Sequence, residues 1–278
     1  MNLARPLALV SALAVLALAA WAPTAGAAPG DVRVQAEATY HEAADGSVNG
    51  VRLQIFRDGA KVVDRPPPIP CSGCALRPYP VGYATKPAQV VQLDATPEPE
   101  VVFALLSGGA HCCIYAQIFR WDEALGRYLA ATHDFRDNGF VLKDLRHDGV
   151  PEFFSNDTRL AYRFSCYLCA VYPTQLWAYD SGRLSDVTRS FPRQVKNDLA
   201  ETRRFYYRAL GKGDVRGLLA TIAADQCLLG HCSAGFRFVR RAIAAGHVRA
   251  REPRWEYGPH GHKYLRELRR FLRKLGYV

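Results

Sequence analysis

Eight cysteines in four close pairs constrain this chain more than any other feature: Cys71 with Cys74, Cys112 with Cys113, Cys166 with Cys169, and Cys227 with Cys232. What they do depends on the compartment, and the N-terminus speaks to that. Arg5 supplies a positive start, Leu7 to Trp21 (LALVSALAVLALAAW) is nearly all apolar, and Ala25-Gly26-Ala27 offers the small residues a signal peptidase accepts. This three-part pattern predicts a secretory signal over residues 1–27, cleavage after Ala27, and a periplasmic or extracellular destination. The apolar run is short for a membrane span of ~20 residues, and Pro23 and Gly26 interrupt its exit. Beyond the membrane, thiols oxidise and persist as disulfides. Eight cysteines admit on the order of a hundred complete pairings, so spacing alone does not set the connectivity.

The pairs still differ. Cys227-Leu-Leu-Gly-His-Cys232 spans an expected turn between two helices, where a short disulfide would clamp the hairpin. Cys71-Ser-Gly-Cys74 and Cys166-Tyr-Leu-Cys169 have the spacing of zinc or thiol-redox motifs. Zinc is disfavoured because the gap between the two pairs far exceeds a zinc ribbon's, and oxidation removes the thiolates. Redox chemistry is disfavoured because a reactive thiolate needs a helix N-terminus. Cys71 instead lies between prolines, and Cys166 among aromatic, strand-like residues. Structural cross-links, within each pair or between the two pairs, are the expectation. Cys112 and Cys113 face opposite ways if they lie on a strand. If they lie in a loop they can bond to each other, across a Cα separation of ~3.8 Å that is below the usual disulfide range.

Charge divides the chain. Residues 1–192 hold 17 Lys and Arg against 19 Asp and Glu, and residues 193–278 hold 19 against 7, so the whole net charge of +10 comes from the last third. The pattern of apolar residues changes at the same place. Val32, Val34, Ala36 and Ala38 alternate with polar residues, as do Val51, Leu53 and Ile55, and Asp58-Gly59 is a hairpin signal. Further strand-like runs cover 101–106, 114–121, 153–154 and 175–179, while Pro66 to Pro70 excludes a central strand. After residue 192 the spacing turns helical. Val195, Leu199, Phe205, Tyr206 and Leu210 share one face; Asp214 precedes Val215, Leu218, Leu219 and Ile222; Phe236, Val239 and Ile243 form a third group. The last helix sets Tyr264, Leu265, Leu268, Phe271, Leu272 and Leu275 against an Arg-rich face. These patterns predict an α+β chain: an antiparallel β domain over 28–192, partial-propeller-like or a sandwich, and a small basic helical domain over 193–278.

A weak repeat runs through the β domain. Pro99-Glu100-Val101-Val102-Phe103 resembles Pro151-Glu152-Phe153-Phe154, and Gly126-Arg127-Tyr128 resembles Gly182-Arg183-Leu184. Offsets in the fifties suit an antiparallel unit of about four strands, as in a propeller blade. The segment FALLSGGAHCC (Phe103 to Cys113), followed by IYAQIFRWD, resembles a Gly-Gly-Ala-His-Cys-Cys loop of exported bacterial proteins. VLKDLRHDGVPEFF (Val141 to Phe154) resembles the aspartate-rich turn of FG-GAP/VCBS repeats. The resemblance covers roughly residues 90–192. It implies a β-rich extracellular domain with no catalytic residue to carry over. It also implies the adjacent Cys112–Cys113 bond, and such domains are accompanied by a basic helical tail in similar proteins.

Repeats of this type can hold Ca²⁺ on several hard oxygens around one tight turn. The matching positions are Asp144, Arg146, Asp148, Gly149 and Glu152. Arg146 stands where a carboxylate or amide belongs, and the equivalent turn from Asp94 to Glu100 has no glycine. The turn is therefore expected as structure, with Gly149 at positive φ. No cofactor is expected, and Asp144, Asp148 and Glu152 are a weak calcium set. The candidate binding residues are Arg203, Arg240, Arg266, Arg269, Arg270 and Arg273, on the polar faces of the helices. A cationic surface binds polyanions by counterion release. Export makes nucleic acid an unexpected partner and points to anionic lipid or an envelope polymer; a plain solvated surface is the simpler account.

No Gly-x-Ser-x-Gly elbow, His-Glu-x-x-His or phosphate-binding Gly-rich loop occurs in the chain. A non-enzymatic binding module is therefore the leading expectation. Its rival is an envelope-acting hydrolase or a thiol-dependent enzyme using His111 beside Cys112 and Cys113.

Overall fold

The structure is a computed structural model that describes residues 32–80, 86–108, 113–169, 171–248 and 259–278. The leader expected over 1–27, together with His111 and Cys112, lies outside the described residues. The fold is α+β, with every strand pair antiparallel and no closed barrel among the described residues.

Three sheets follow one another along the chain. The first is a meander of β1 (Val34–Glu42), β2 (Val48–Arg57) and β3 (Ala60–Arg65). Asp58 and Gly59 join β2 to β3 at φ +50° and +82°, the left-handed pair that a two-residue hairpin requires. The second holds β4 (Arg77–Pro78), β5 (Ala88–Val91), β6 (Glu100–Leu106), β7 (Ile114–Asp122) and β8 (Arg127–Asp134). In it β4 and β5 share one edge of β6, and β7 takes the other. The third runs β9 (Val141–Lys143), β10 (Glu152–Asn156), β11 (Thr174–Asp180) and β12 (Arg183–Asp186), again as a meander.

The middle sheet is covered on both sides. Along β6, Val101, Phe103 and Leu105 pack with Leu53 and Ile55 of β2. The alternate residues Val102 and Ala104 pack with Phe153 of β10 and Tyr179 of β11. Both faces of β6 are thus buried, which is why it reads as an unbroken apolar run rather than an alternation. Each large side chain enclosed this way contributes roughly 1.5–3 kcal/mol.

Among the described residues four helices follow: α1 (Pro192–Ala209), α2 (Arg216–Leu228), α3 (Cys232–Ala244) and α4 (Gly261–Lys274). Pro192 opens α1 at a position where its missing N–H costs nothing. Every residue of α2 from Arg216 to Cys227 is buried, so this helix is the axis around which the others pack. Where α3 crosses α2, Gly235 is the contact. A Cβ there would lie 2.9 Å from Gln226 Cβ and 3.1 Å from Ala223 Cα.

The helical core also takes in Leu160, Phe164 and Tyr172, which precede the first helix. Polar ties reinforce the join. Asp198 Oδ2 of α1 accepts from the Thr174 backbone N–H of β11 at 2.7 Å. Arg189 donates to the Cys227 carbonyl at the end of α2 and to the Tyr277 carbonyl, both at 2.9 Å. Tyr277 in turn donates its hydroxyl to Asp157 Oδ2 at 2.8 Å. Among the described residues, no helix is long and apolar enough to cross a membrane.

Candidate functional site

The strongest candidate is the solvent face of α4. Its apolar residues Tyr264, Leu265, Leu268 and Leu272 are buried. Tyr264 is fixed further by donating to the Arg216 carbonyl at 2.6 Å. With one face committed to the core, helical geometry sends Lys263, Arg266, Arg270, Arg273 and Lys274 outward, and all five are exposed. None of the five forms an ion pair among the described residues. The one acid on the helix, Glu267, is taken by Arg163 at 3.3 Å. Arg273 and Lys274 also sit in the last turn, where the helix dipole favours cations.

The other arginines expected in the site are placed differently. Arg269 is exposed too, but it lays its guanidinium over Phe236 of α3, 4.8 Å from the ring centroid. Arg240 is exposed on α3. Arg203 of α1 lies over Phe238 at 5.6 Å, and its Nε is buried without a hydrogen-bond partner. The structure therefore gathers Arg266, Arg270 and Arg273 on one face, and uses Arg203 and Arg269 partly as packing. Lys263 and Lys274 join that face because they share its helical spacing.

The aspartate-rich turn spends its carboxylates internally. Asp144 accepts from the backbone N–H groups of Asp148 at 3.2 Å and Gly149 at 3.0 Å. The Gly149 bond is the main reason its carboxyl is held below the usual range. Asp148 accepts from Val150 N–H at 3.0 Å. Buried Glu152 accepts from Leu145 N–H at 3.0 Å, and Arg146 Nη1 lies 3.2 Å from its other oxygen. Gly149 adopts φ +86°. Arg146 thus supplies in place the positive charge that a bound cation would bring to Glu152. No group of three or more His, Cys, Asp or Glu among the described residues could hold a metal ion.

Three cysteine pairs close within themselves: Cys71–Cys74, Cys166–Cys169 and Cys227–Cys232, with Cα separations of 5.7, 5.0 and 4.1 Å. Cys113 is disulfide-bonded as well, and no described cysteine is a free thiol.

Two further buried carboxyls stand out. Glu100, at the start of β6, accepts from Leu93 N–H at 3.0 Å, but its Oε1 has no hydrogen-bond partner among the described residues. Burial, with nearby Asp94 adding to it, pushes its pKa up to about 7. Asp225 of α2 has both carboxyl oxygens buried with no hydrogen-bond partner among the described residues. Burial, and then the neighbouring Asp198, raise it well above the carboxylate range. Asp225 has no exposed surface, so it cannot touch a substrate unless the bundle opens.

The sequence carried a signal for Glu100, which matches Glu152 through the repeat offset. For Asp225 the signal was a lone acid inside the apolar run TIAADQC. Leu168, between two bonded cysteines, is 91% exposed.

No family model matches the chain. It is 28% identical over 160 residues to a probable thylakoid lumen protein of Synechocystis sp., across 54% of this chain and 45% of that protein. It is 31% identical over 119 residues to an uncharacterized protein of Sinorhizobium fredii, across 40% of this chain and 18% of that protein. The chain therefore spans less than half the length of either curated relative. No solved structure matches it.

Proposed function

We propose that this chain is an exported, non-enzymatic binding module whose α4 face engages an anionic surface of the cell envelope. One observation carries the reading. Six exposed cations on a single helix, Arg269 among them, have no ion-pair partner among the described residues, while the only acid of that helix is tied to Arg163. A surface optimised for solubility alone would mix its signs.

Export is supported by the leader-like residues 1–27, by the closed disulfides, and by the name of the Synechocystis relative, which assigns that protein to the thylakoid lumen. In this reading the two turns ending at Glu100 and Glu152 are degenerate copies of one FG-GAP/VCBS-like unit. The Pro-Glu pair repeated in register supports that origin.

The test is a salt titration of binding to a soluble polyanion such as heparin. Affinity should fall steadily as salt rises. The triple variant R266E/R270E/R273E should bind at least about 100-fold more weakly at low salt, since each cation near an anionic surface is worth ~1 kcal/mol. Binding that ignores both salt and the three reversals would sink the proposal.

A further inference from the structure

We infer that the anionic surface met by α4 is a lipid bilayer, and that the disulfide-closed turn around Leu168 is the tip that enters it. This rests on the reading of α4 above and adds a second contact beside it.

The turn displays apolar groups where a folded chain ordinarily hides them. Cys166–Cys169 encloses one turn of 3₁₀-helix, Tyr167–Cys169, and the enclosed Leu168 is 91% exposed. Tyr162 is 47% exposed, with its ring centroid 5.7 Å from that of Tyr167. Tyr162 also adopts φ +58°, an unusual conformation for a bulky residue.

The segment is pinned to the cationic helix. Arg163 meets Glu267 at 3.3 Å and sits 5.5 Å from the centroid of Phe271. Phe164 packs edge-on against Tyr264 and Phe271. On a helix, Lys263, Arg270 and Lys274 lie three or four positions from Glu267 or Phe271, so the cationic row borders the edge that holds the turn.

An apolar tip and a cationic row are useless together on a soluble polymer, which can take up only the charge. A bilayer of anionic lipid accepts both, with leucine in the acyl boundary and tyrosine at the headgroup level. Either attraction alone gives marginal binding, and the pair gives a stable anchor. The disulfide holds the tip in its exposed form, so little ordering is needed on contact.

The experiment uses the oxidised chain from residue 28 with three probes: zwitterionic phosphatidylcholine vesicles, vesicles containing phosphatidylglycerol, and heparin. Leu168 is exposed, so Leu168→Ser leaves the packing intact. It should weaken binding to anionic vesicles about 10-fold, from the lost burial of one leucine side chain, and leave heparin binding unchanged. Leu168→Trp should add a blue-shifted emission component with anionic vesicles and none with heparin. Vesicle binding indifferent to Leu168→Ser, with no shift from Leu168→Trp, overturns the lipid inference while heparin binding keeps the α4 reading alive. Vesicle and heparin binding both untouched by reversal of Arg266, Arg270 and Arg273 overturns the α4 reading instead.

Discussion

Glu100 and Glu152 close two turns in the same way, each accepting a 3.0 Å hydrogen bond from the backbone N–H seven residues earlier, from Leu93 and Leu145. Only Glu152 has a cation beside it. Arg146 stands 3.2 Å away there, and at the matching position of the earlier turn the chain has Asp94. One substitution between equivalent turns thus separates a paired carboxylate from a buried carboxyl whose pKa is pushed up to about 7.

The first prediction concerns that proton. In the folded chain Glu100 holds it up to about pH 7, against an ordinary value of 4.5 when unfolded. The native state therefore binds more protons across this interval, and stability declines as pH rises through it. Below the interval both states are protonated, and above it neither is. Over the interval the loss is on the order of 2 kcal/mol, allowing for partial screening. Glu100→Gln should flatten the decline, with a higher denaturation midpoint than the parent at pH 8 and a similar one at pH 4. Parallel curves for parent and variant across that range would refute the assignment.

Asp225 predicts a decline of the same sign. Its folded-state pKa is raised by burial and by Asp198, so stability falls as pH rises from the ordinary carboxyl range near 3.8 through the raised value. Asp225→Asn should stabilise the protein by at least about 1 kcal/mol at pH 8. Urea midpoints measured at pH 4 and pH 8 would separate this effect from that of Glu100.

Cys227–Cys232 joins the end of α2 to the start of α3, with Cys227 buried. Replacing both cysteines with serine should lower the unfolding free energy by about 2 kcal/mol, the loop-closure value for so short a ring. The result would appear as a lower midpoint with an unchanged urea slope. No loss of stability would mean that the α2–α3 turn is held by its packing alone.

Gly235→Ala tests the helix crossing. Alanine improves helix propensity by about 1 kcal/mol, but the new methyl meets the backbone of Ala223 and the Cβ of Gln226. Overpacking at about 1–3 kcal/mol outweighs that gain, so a net loss of about 1 kcal/mol is expected. A stabilised variant would show that α2 and α3 can move apart freely.

The parts of this fold legible in the sequence are those governed by local period. The spacing of Tyr264, Leu265, Leu268 and Leu272 marks a buried helix face, and all four are buried. The Asp58-Gly59 dipeptide marks a hairpin, and both residues take the left-handed conformation it needs. The position of Asp214, just before the second helical group, is that of a helix cap. The structure starts that helix at Arg216, with Asp214 accepting from Arg216 N–H at 2.9 Å and also gripping its guanidinium. The helix start is displaced because one carboxylate serves both the backbone and an ion pair.

What period cannot show is which elements meet. That Val101 and Val102 belong to different cores follows from sheets brought in from both directions. Nor does spacing tell that Arg269, though exposed, lies over Phe236, because that depends on where α3 lies. The exposed Leu168 was hidden for a related reason. The flanking cysteines have the spacing of a reactive pair, and that spacing does not tell where the side chain they enclose will face.

The hydroxyl of Tyr277 on Asp157 joins residues 120 positions apart. A ribosome must therefore deliver residue 277 before the segment beside the third sheet can acquire its partner. All twelve strands among the described residues precede α1, so the sheets can assemble before the helices dock. For a chain that folds after export, the β strands would pair first and the Tyr277–Asp157 bond would fasten the helical half to them last.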